Sequence, residues 1–76
     1  MPTINMKMTG QKIADMISNK GFTIKAIQNI FGFNQPTAIY KWVHGTAMPT
    51  LDNMIILADI FGCRVDDILV IDKVHK

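Results

Sequence analysis

Residues 21–45 read GFTIKAIQNIFGFNQPTAIYKWVHG, and they contain the clearest structural signals in the chain. Apolar residues recur at helical spacing on both sides of Gly32, and glycine is a strong helix breaker. The pattern predicts one helix over 24–31 and a second helix that starts near Pro36 and stops at Gly45. The sequence therefore places two short helices in succession, joined by a glycine turn.

Both helices are predicted to be amphipathic. Thr23 is suited to cap the first helix, and Phe22 can pack on Ile27 across that cap. The residues expected to face inward are Ile27, Ile30 and Phe31 on the first helix and Ile39, Trp42 and Val43 on the second. The opposite, polar side of the second helix carries residues spaced i, i+4 and i+7, namely Thr37, Lys41 and His44.

Helical periodicity continues on both sides of this pair. Upstream, the apolar spacing predicts a helix that starts at Thr9 or Gly10. Downstream, we expect a helix over 51–61, capped by Thr50, and a short fifth helix over 65–69. The core stripe of the fourth helix is expected to contain Leu51, Met54, Leu57, Ala58 and Phe61.

The composition limits the possible classes of protein. The chain has 76 residues, of which 49% are hydrophobic, and this fits one domain. We expect that domain over 9–70, with an N-terminal arm at 1–8 and a C-terminal tail at 71–76. No apolar run approaches the ~20 residues of a membrane-spanning helix. The N-terminus carries no signal-peptide pattern, so we expect a cytoplasmic protein with no membrane partner.

Catalytic and metal-binding residues are scarce. The sequence has no glutamate, one cysteine, and only two histidines, His44 and His75. No nucleophile–histidine constellation and no glycine-rich phosphate loop is evident. We therefore expect no enzymatic activity, no metal, no cofactor and no small-molecule ligand.

The charge is unevenly distributed along the chain. Residues 1–45 carry five lysines and one aspartate, a net charge of +4, whereas residues 46–76 carry three basic and five acidic side chains, a net charge of −2. If the chain binds an anion, the first half should face it.

Two helices joined at a glycine, with a polar outer face on the second, form a candidate helix-turn-helix. The surrounding sequence carries further motifs in a fixed order, KGFT, IFGFN, IYKWVHG, the proline of TAMP, LDNMIILADIF and GCRVDDIL. Together they resemble the Xre/Cro phage-repressor-like helix-turn-helix family over residues 9–69. The resemblance implies an all-α, compact five-helix bundle of the lambda-repressor-like type, which binds operator DNA, usually as a dimer.

The sequence departs from the family pattern in several places. The family often has an arginine–glutamate ion pair where this chain has Ile17 and Val43, so an apolar contact is expected to replace the pair as a unit. Gln28 stands where the family has a small alanine, and the stretch between Gly32 and Gly45 is one residue longer than usual. We hypothesise that the larger side chain and the longer turn go together. Cys63 stands where the family has an aliphatic residue and is interpreted as buried and inert.

The DNA-facing residues are predicted from their positions. Gln35 and Thr37 lie at the start of the second helix of the pair, where glutamine can pair with adenine, and Ala38 can approach a thymine methyl group. Tyr40 and Lys41 lie off the inner stripe, and Lys41 can reach guanine or phosphate. The candidates for contacts with the DNA backbone are Thr23, Lys25, Asn34, His44 and Thr46.

Four of these residues have structural alternatives. Asn34 is also a typical turn residue, and Thr23 is first of all a helix cap. Lys25 can be an ordinary solvated lysine, and Tyr40 can pack against the preceding helix. His44 is too isolated to be a metal ligand.

The helix over 51–61 is apolar on more sides than one core requires. Ile56 and Ile60 fall on the side opposite the core stripe, at about 100° per residue. We hypothesise that they form a self-complementary two-fold interface together with Val70 and Ile71. The alternative is that the tail folds over Ile56 and Ile60 within one chain.

The sequence thus predicts sequence-specific binding of double-stranded DNA by a small transcriptional regulator, acting as a dimer on an inverted-repeat operator. The alternative is a protein-interaction module, such as an antirepressor or antitoxin-like partner, that keeps the fold without DNA binding. The modest net charge and the single arginine favour that alternative. Single-stranded RNA binding would need an exposed aromatic platform, which the sequence lacks.

Overall fold

Five helices account for most of residues 1–73, the part of the chain that the computed structural model describes. In chain order the elements are β1 (Pro2–Ile4), α1 (Met6–Asn19), α2 (Ile24–Phe31), α3 (Thr37–His44), α4 (Leu51–Phe61), α5 (Val65–Ile68) and β2 (Ile71–Lys73). The predicted number and order of helices are confirmed. Residues 74–76 of the predicted tail lie outside the described residues.

The predicted start of α1 at Thr9 or Gly10 is wrong, because the helix begins at Met6. The side chain of Asn5 accepts a hydrogen bond of 2.9 Å from the backbone N–H of Met8, so Asn5 caps the helix one turn earlier than expected. The cap predicted for α4 is confirmed, since the Thr50 hydroxyl accepts from the N–H of Asn53.

A small antiparallel sheet joins the two ends of the described chain. Strand β1 pairs with β2 so that Thr3 lies opposite Asp72. The backbone N–H of Asn5 donates to the carbonyl of Val70 at 2.8 Å, and the hydroxyl of Thr9 accepts from the N–H of Val70 at 2.9 Å. The sequence did not predict this sheet, which ties residues 2–4 to the segment after α5.

One hydrophobic core lies between the helices. Its buried members are Ile13, Ile17, Ile27, Ile39, Trp42, Met54, Leu57, Ala58, Phe61 and Ile68. Two residues predicted to face inward do not, since Leu51 is 72% exposed and Ile30 is 52% exposed. At about 100° per residue, Leu51 lies at the edge of the buried stripe of α4, and Ile30 lies more than a quarter turn from the buried face of α2.

Helix α1 crosses the C-terminal end of α3 so closely that the backbones of the two helices are in contact. A Cβ atom on Gly10 would overlap the carbonyl oxygen of Trp42 and would lie 2.9 Å from the nitrogen of Gly45. Ile17 is buried and the half-buried Val43 packs against the core, so both positions that replace the family's ion pair are apolar and contribute to the core. This crossing fixes where the end of α3 lies relative to α1.

Candidate nucleic-acid interface

The turn between α2 and α3 is closed by the local sequence. Helix α2 ends at Gly32, whose φ of +73° is the left-handed conformation that favours glycine. The N–H of Gly32 donates to the carbonyl of Asn29, and the N–H of Phe33 donates to the carbonyl of Gln28, both at 3.1 Å. This pair of bonds is a Schellman motif, and it sends the chain out of α2 in a defined direction.

Three aromatic rings hold this turn against α3. Phe31 and Phe33 stack with ring centroids 5.1 Å apart. The ring of Trp42 meets Phe31 edge-on at 5.4 Å and meets Phe33 edge-on at 5.9 Å. Because Phe31 ends α2, Phe33 lies in the turn and Trp42 lies in α3, the cluster connects all three parts of the helix-turn-helix.

Gln28 adds a side-chain bond to the same turn. It is only 6% exposed, and its side-chain amide nitrogen donates to the carbonyl of Phe33 at 3.1 Å. The two departures from the family pattern, the glutamine and the longer turn, are therefore joined by a hydrogen bond. The sequence marked Gln28 as unusual but did not assign it to the site, because its partner is a backbone atom.

The outer face of α3 is exposed as the spacing predicted. It carries four exposed side chains, Thr37, Tyr40, Lys41 and His44. The rings of Tyr40 and His44 stack along this face with centroids 6.2 Å apart. Among residues 1–73 the one ion pair joins Arg64 and Asp66, so the ammonium group of Lys41 is not neutralised by a carboxylate there.

An open groove of about 460 Å³ runs between α2 and the start of α3. Its lining includes four of the predicted DNA-facing residues together with the unpredicted Gln28, and these are Lys25, Asn34, Gln35, Tyr40 and Gln28. Tyr40 lines this groove and remains exposed. The groove places one lysine and several amide groups beside the exposed face of α3.

The remaining predicted residues lie around this face. The Thr23 hydroxyl accepts from the N–H of Ala26 at 3.0 Å, which confirms its role as the cap of α2. The Thr46 hydroxyl donates to the carbonyl of Lys41 at 3.3 Å and closes the end of α3. Ala38 is half-buried and packs against the core, at the margin of the exposed face.

Lys7 is a candidate that the sequence missed. It lines a groove of about 370 Å³ with His44 and Gln11, beside the C-terminal end of α3. It was assigned to an N-terminal arm, and only the earlier start of α1 brings it next to His44. The signal that could have found it is Asn5, a favourable cap placed just before Met6.

The described residues offer little chemistry elsewhere. No group of three or more histidine, cysteine or acidic side chains within residues 1–73 is arranged to hold a metal ion. Cys63 is half-buried rather than fully buried, and burial raises the pKa of its thiol, which keeps it in the less reactive form. No helix in residues 1–73 is long and apolar enough to cross a membrane.

The fold and this surface define a helix-turn-helix domain. A family model described as helix-turn-helix matches residues 13–68. The chain belongs to the Xre/Cro-like helix-turn-helix family, a family of DNA-binding regulators, as its motifs had indicated. The comparison with curated proteins finds no significant match.

Two solved structures are similar to this chain. One is the crystal structure of the DNA-binding domain of BldD, which is 18% identical, with a TM-score of 0.71 over 86% of this chain and 93% of that one. The other is the BldD DNA-binding domain of S. venezulae, also 18% identical with a TM-score of 0.71, over 86% of this chain and 96% of that one. At this level of identity the likeness supports the fold, and the predicted all-α, compact five-helix bundle containing a helix-turn-helix is confirmed.

Proposed function

We propose that this chain binds double-stranded DNA sequence-specifically and regulates transcription, acting as a dimer on an inverted-repeat operator. The observation that carries the proposal is the outer face of α3, where polar side chains are exposed in one row and Lys41 has no acidic partner among the described residues. An α-helix fits the major groove of B-DNA, which is ~12 Å wide. The family membership points in the same direction, and both similar structures are DNA-binding domains of BldD.

The docking follows from the two ends of α3. Its N-terminal end, with Gln35 and Thr37, would enter the major groove and meet base edges. Lys25, across the groove from Gln35 on α2, would lie near one DNA strand. His44 and the missed Lys7, at the other end of α3, would lie near the opposite strand. Contacts of these residues to the DNA backbone would position the protein without reading sequence.

The dimer is supported by apolar surface that the fold leaves exposed. Ile56 on α4 is 40% exposed and Ile71 in β2 is 45% exposed. Ile60 and Val70, the other two members of the hypothesised interface, are only half-buried. A two-fold dimer would place two copies of α3 in successive major grooves, ~34 Å apart.

A second candidate function is a protein-interaction module without DNA affinity. It is favoured by Leu51 and Ile55, which extend the exposed apolar surface of α4 beyond the proposed dimer residues. The two functions differ in their dependence on salt. DNA affinity should fall steeply with salt because phosphate contacts release counterions, whereas an apolar protein interface should respond weakly.

The experiment that tests the proposal is selection of bound fragments from randomised duplex DNA by the purified chain in ~0.15 M salt, where non-specific binding is weak. Enrichment of an inverted repeat would support both specific binding and the dimer, and its half-site spacing would test the docking. Failure of a folded, monodisperse protein to enrich any sequence would overturn the proposal in favour of the interaction module.

A further inference from the structure

Helix α2 ends with one hydrogen bond more than α4, which also ends at a glycine. The N–H of Phe33 donates to the carbonyl of Gln28, and the side-chain amide of Gln28 donates back to the carbonyl of Phe33. Gln28 therefore binds both the backbone N–H and the backbone carbonyl of Phe33. This double link fixes the first residue of the turn on the end of α2.

The end of α4 shows that the extra bond is not needed to stop a helix. There the N–H of Cys63 donates to the carbonyl of Ala58 at 2.9 Å, which is the same backbone bond that Phe33 makes to Gln28. Ala58 occupies the position equivalent to Gln28 and has no side-chain donor. An alanine at position 28 would therefore still allow α2 to end at Gly32.

A buried amide is costly unless it is hydrogen-bonded, so its presence at position 28 calls for a separate explanation. Gln28 lines the same groove as Asn34, Gln35 and Tyr40. Phe33, its partner, immediately precedes Asn34 and Gln35 in the chain. The position of the Phe33 carbonyl therefore determines where the residues at the start of α3 lie.

We propose that Gln28 is a positioning residue for base recognition. Its amide holds the turn so that Gln35 and Thr37 meet the base edges in register, and this inference rests on the proposed function. Contacts to base edges require placement within about 0.5 Å, whereas contacts to phosphates tolerate movement. Loss of the amide should therefore weaken binding to the operator much more than binding to unrelated DNA.

The test compares the full chain with Gln28→Met, which keeps the length of the side chain and removes the donor. Dissociation constants are measured by fluorescence anisotropy for the selected duplex and for a scrambled duplex of equal length at equal salt. We expect the dissociation constant for the scrambled duplex, divided by that for the selected duplex, to fall roughly five- to tenfold in the variant. This change is the equivalent of one ordinary protein hydrogen bond. Affinity for the scrambled duplex should stay within about twofold, because phosphate contacts dominate it.

Ile68→Val is the matched control. Ile68 is fully buried in α5, and its substitution lowers stability to a similar extent without touching the turn. The control should leave the ratio unchanged. Repeating the sequence selection with Gln28→Met should show weaker preference at adjacent bases in each half-site, which a purely structural role would not produce. Gln28→Ala serves the same test if the methionine variant does not fold, since alanine favours helix.

The outcomes separate the two proposals. An unchanged ratio in a folded Gln28 variant would overturn the positioning role and leave the proposed function intact. An equal change in Ile68→Val would also overturn it, because lost stability would then explain the effect. If the unaltered chain prefers no duplex, the proposed function fails, and the positioning role fails with it.

Discussion

Two glycines that end helices offer a direct test of how α1 packs on α3. Gly45 ends α3 with a φ of +72°, and Gly62 ends α4 with a φ of +68°. The backbone conformation is thus nearly the same at both sites. Their surroundings differ, because a Cβ on Gly45 would lie 2.6 Å from the Cα of Lys7 and 2.9 Å from the carbonyl oxygen of Met6, whereas nothing lies within 4 Å of a Cβ on Gly62.

The expected loss of stability has two contributions, the backbone conformation of the glycine and the surroundings of the added methyl group. A left-handed backbone costs an L-residue about 1–2 kcal/mol, and alanine should suffer this cost at either site. At Gly45 the new methyl group also meets main-chain atoms of α1, and overpacking of this kind costs about 1–3 kcal/mol more. We therefore expect Gly45→Ala to lower the free energy of unfolding by about 2–5 kcal/mol and Gly62→Ala by about 1–2 kcal/mol.

The difference of roughly 2 kcal/mol corresponds to about 8–16 °C in Tm for a domain of this size. Thermal unfolding followed by Trp42 fluorescence measures it directly, since Trp42 is the only tryptophan and lies in the core. Far-UV circular dichroism provides a second probe of the same transition. Melting temperatures of the two variants within about 2 °C of each other would refute the close approach of α1 and α3, because the shared backbone term would then account for both losses.

Three further predictions address the interface, a cap and the dimer. Lys41→Ala should weaken DNA binding and, if Lys41 meets phosphate, reduce the salt dependence by about one counterion. Lys12→Ala on α1 should change DNA affinity little. Equal effects of the two substitutions on DNA affinity would contradict the docking. Thr23→Ala should lower stability by about 1 kcal/mol through loss of the cap, and Thr37→Ala, whose hydroxyl caps no helix, should cost less; denaturant titration of both variants checks this order. Ile56→Lys should reduce the mass in solution at high micromolar concentration and weaken operator binding, and an unchanged mass in sedimentation would exclude Ile56 from the interface.

The helices could be predicted because their signals are local. Apolar periodicity, the caps Thr23 and Thr50, and the terminal glycines lie within a few residues of the elements they define. The β1–β2 sheet could not be predicted in this way. Its strands are three residues long, and its links join distant residues, as the side chain of Asn5 does when it donates to Asp72, 67 positions away.

Some residues of the candidate site could be predicted from the sequence and others could not, again because only local signals can be recognised there. Side chains at i, i+4 and i+7 must share a face of α3, so the exposure of Thr37, Lys41 and His44 followed from spacing alone. Lys7 depends on where α1 begins and on which helix α1 crosses, and neither is a property of its neighbours in sequence. Gln28 was visible only as a departure from the family, because its role depends on a backbone carbonyl in the turn.

Helix α3 is held at both ends by contacts that involve the main chain. At its start, Gln28 and the aromatic cluster hold the turn, and at its end, Gly10 and Gly45 bring α1 against its last turn. A helix fixed in this way cannot rotate towards or away from DNA without disturbing the core. In the proposed dimer, the spacing of the two α3 helices would depend on how the two copies of this unit are placed relative to each other. On this proposal, a substitution in the exposed apolar surface around Ile56 would change that spacing, and with it operator affinity, while each single domain keeps its structure.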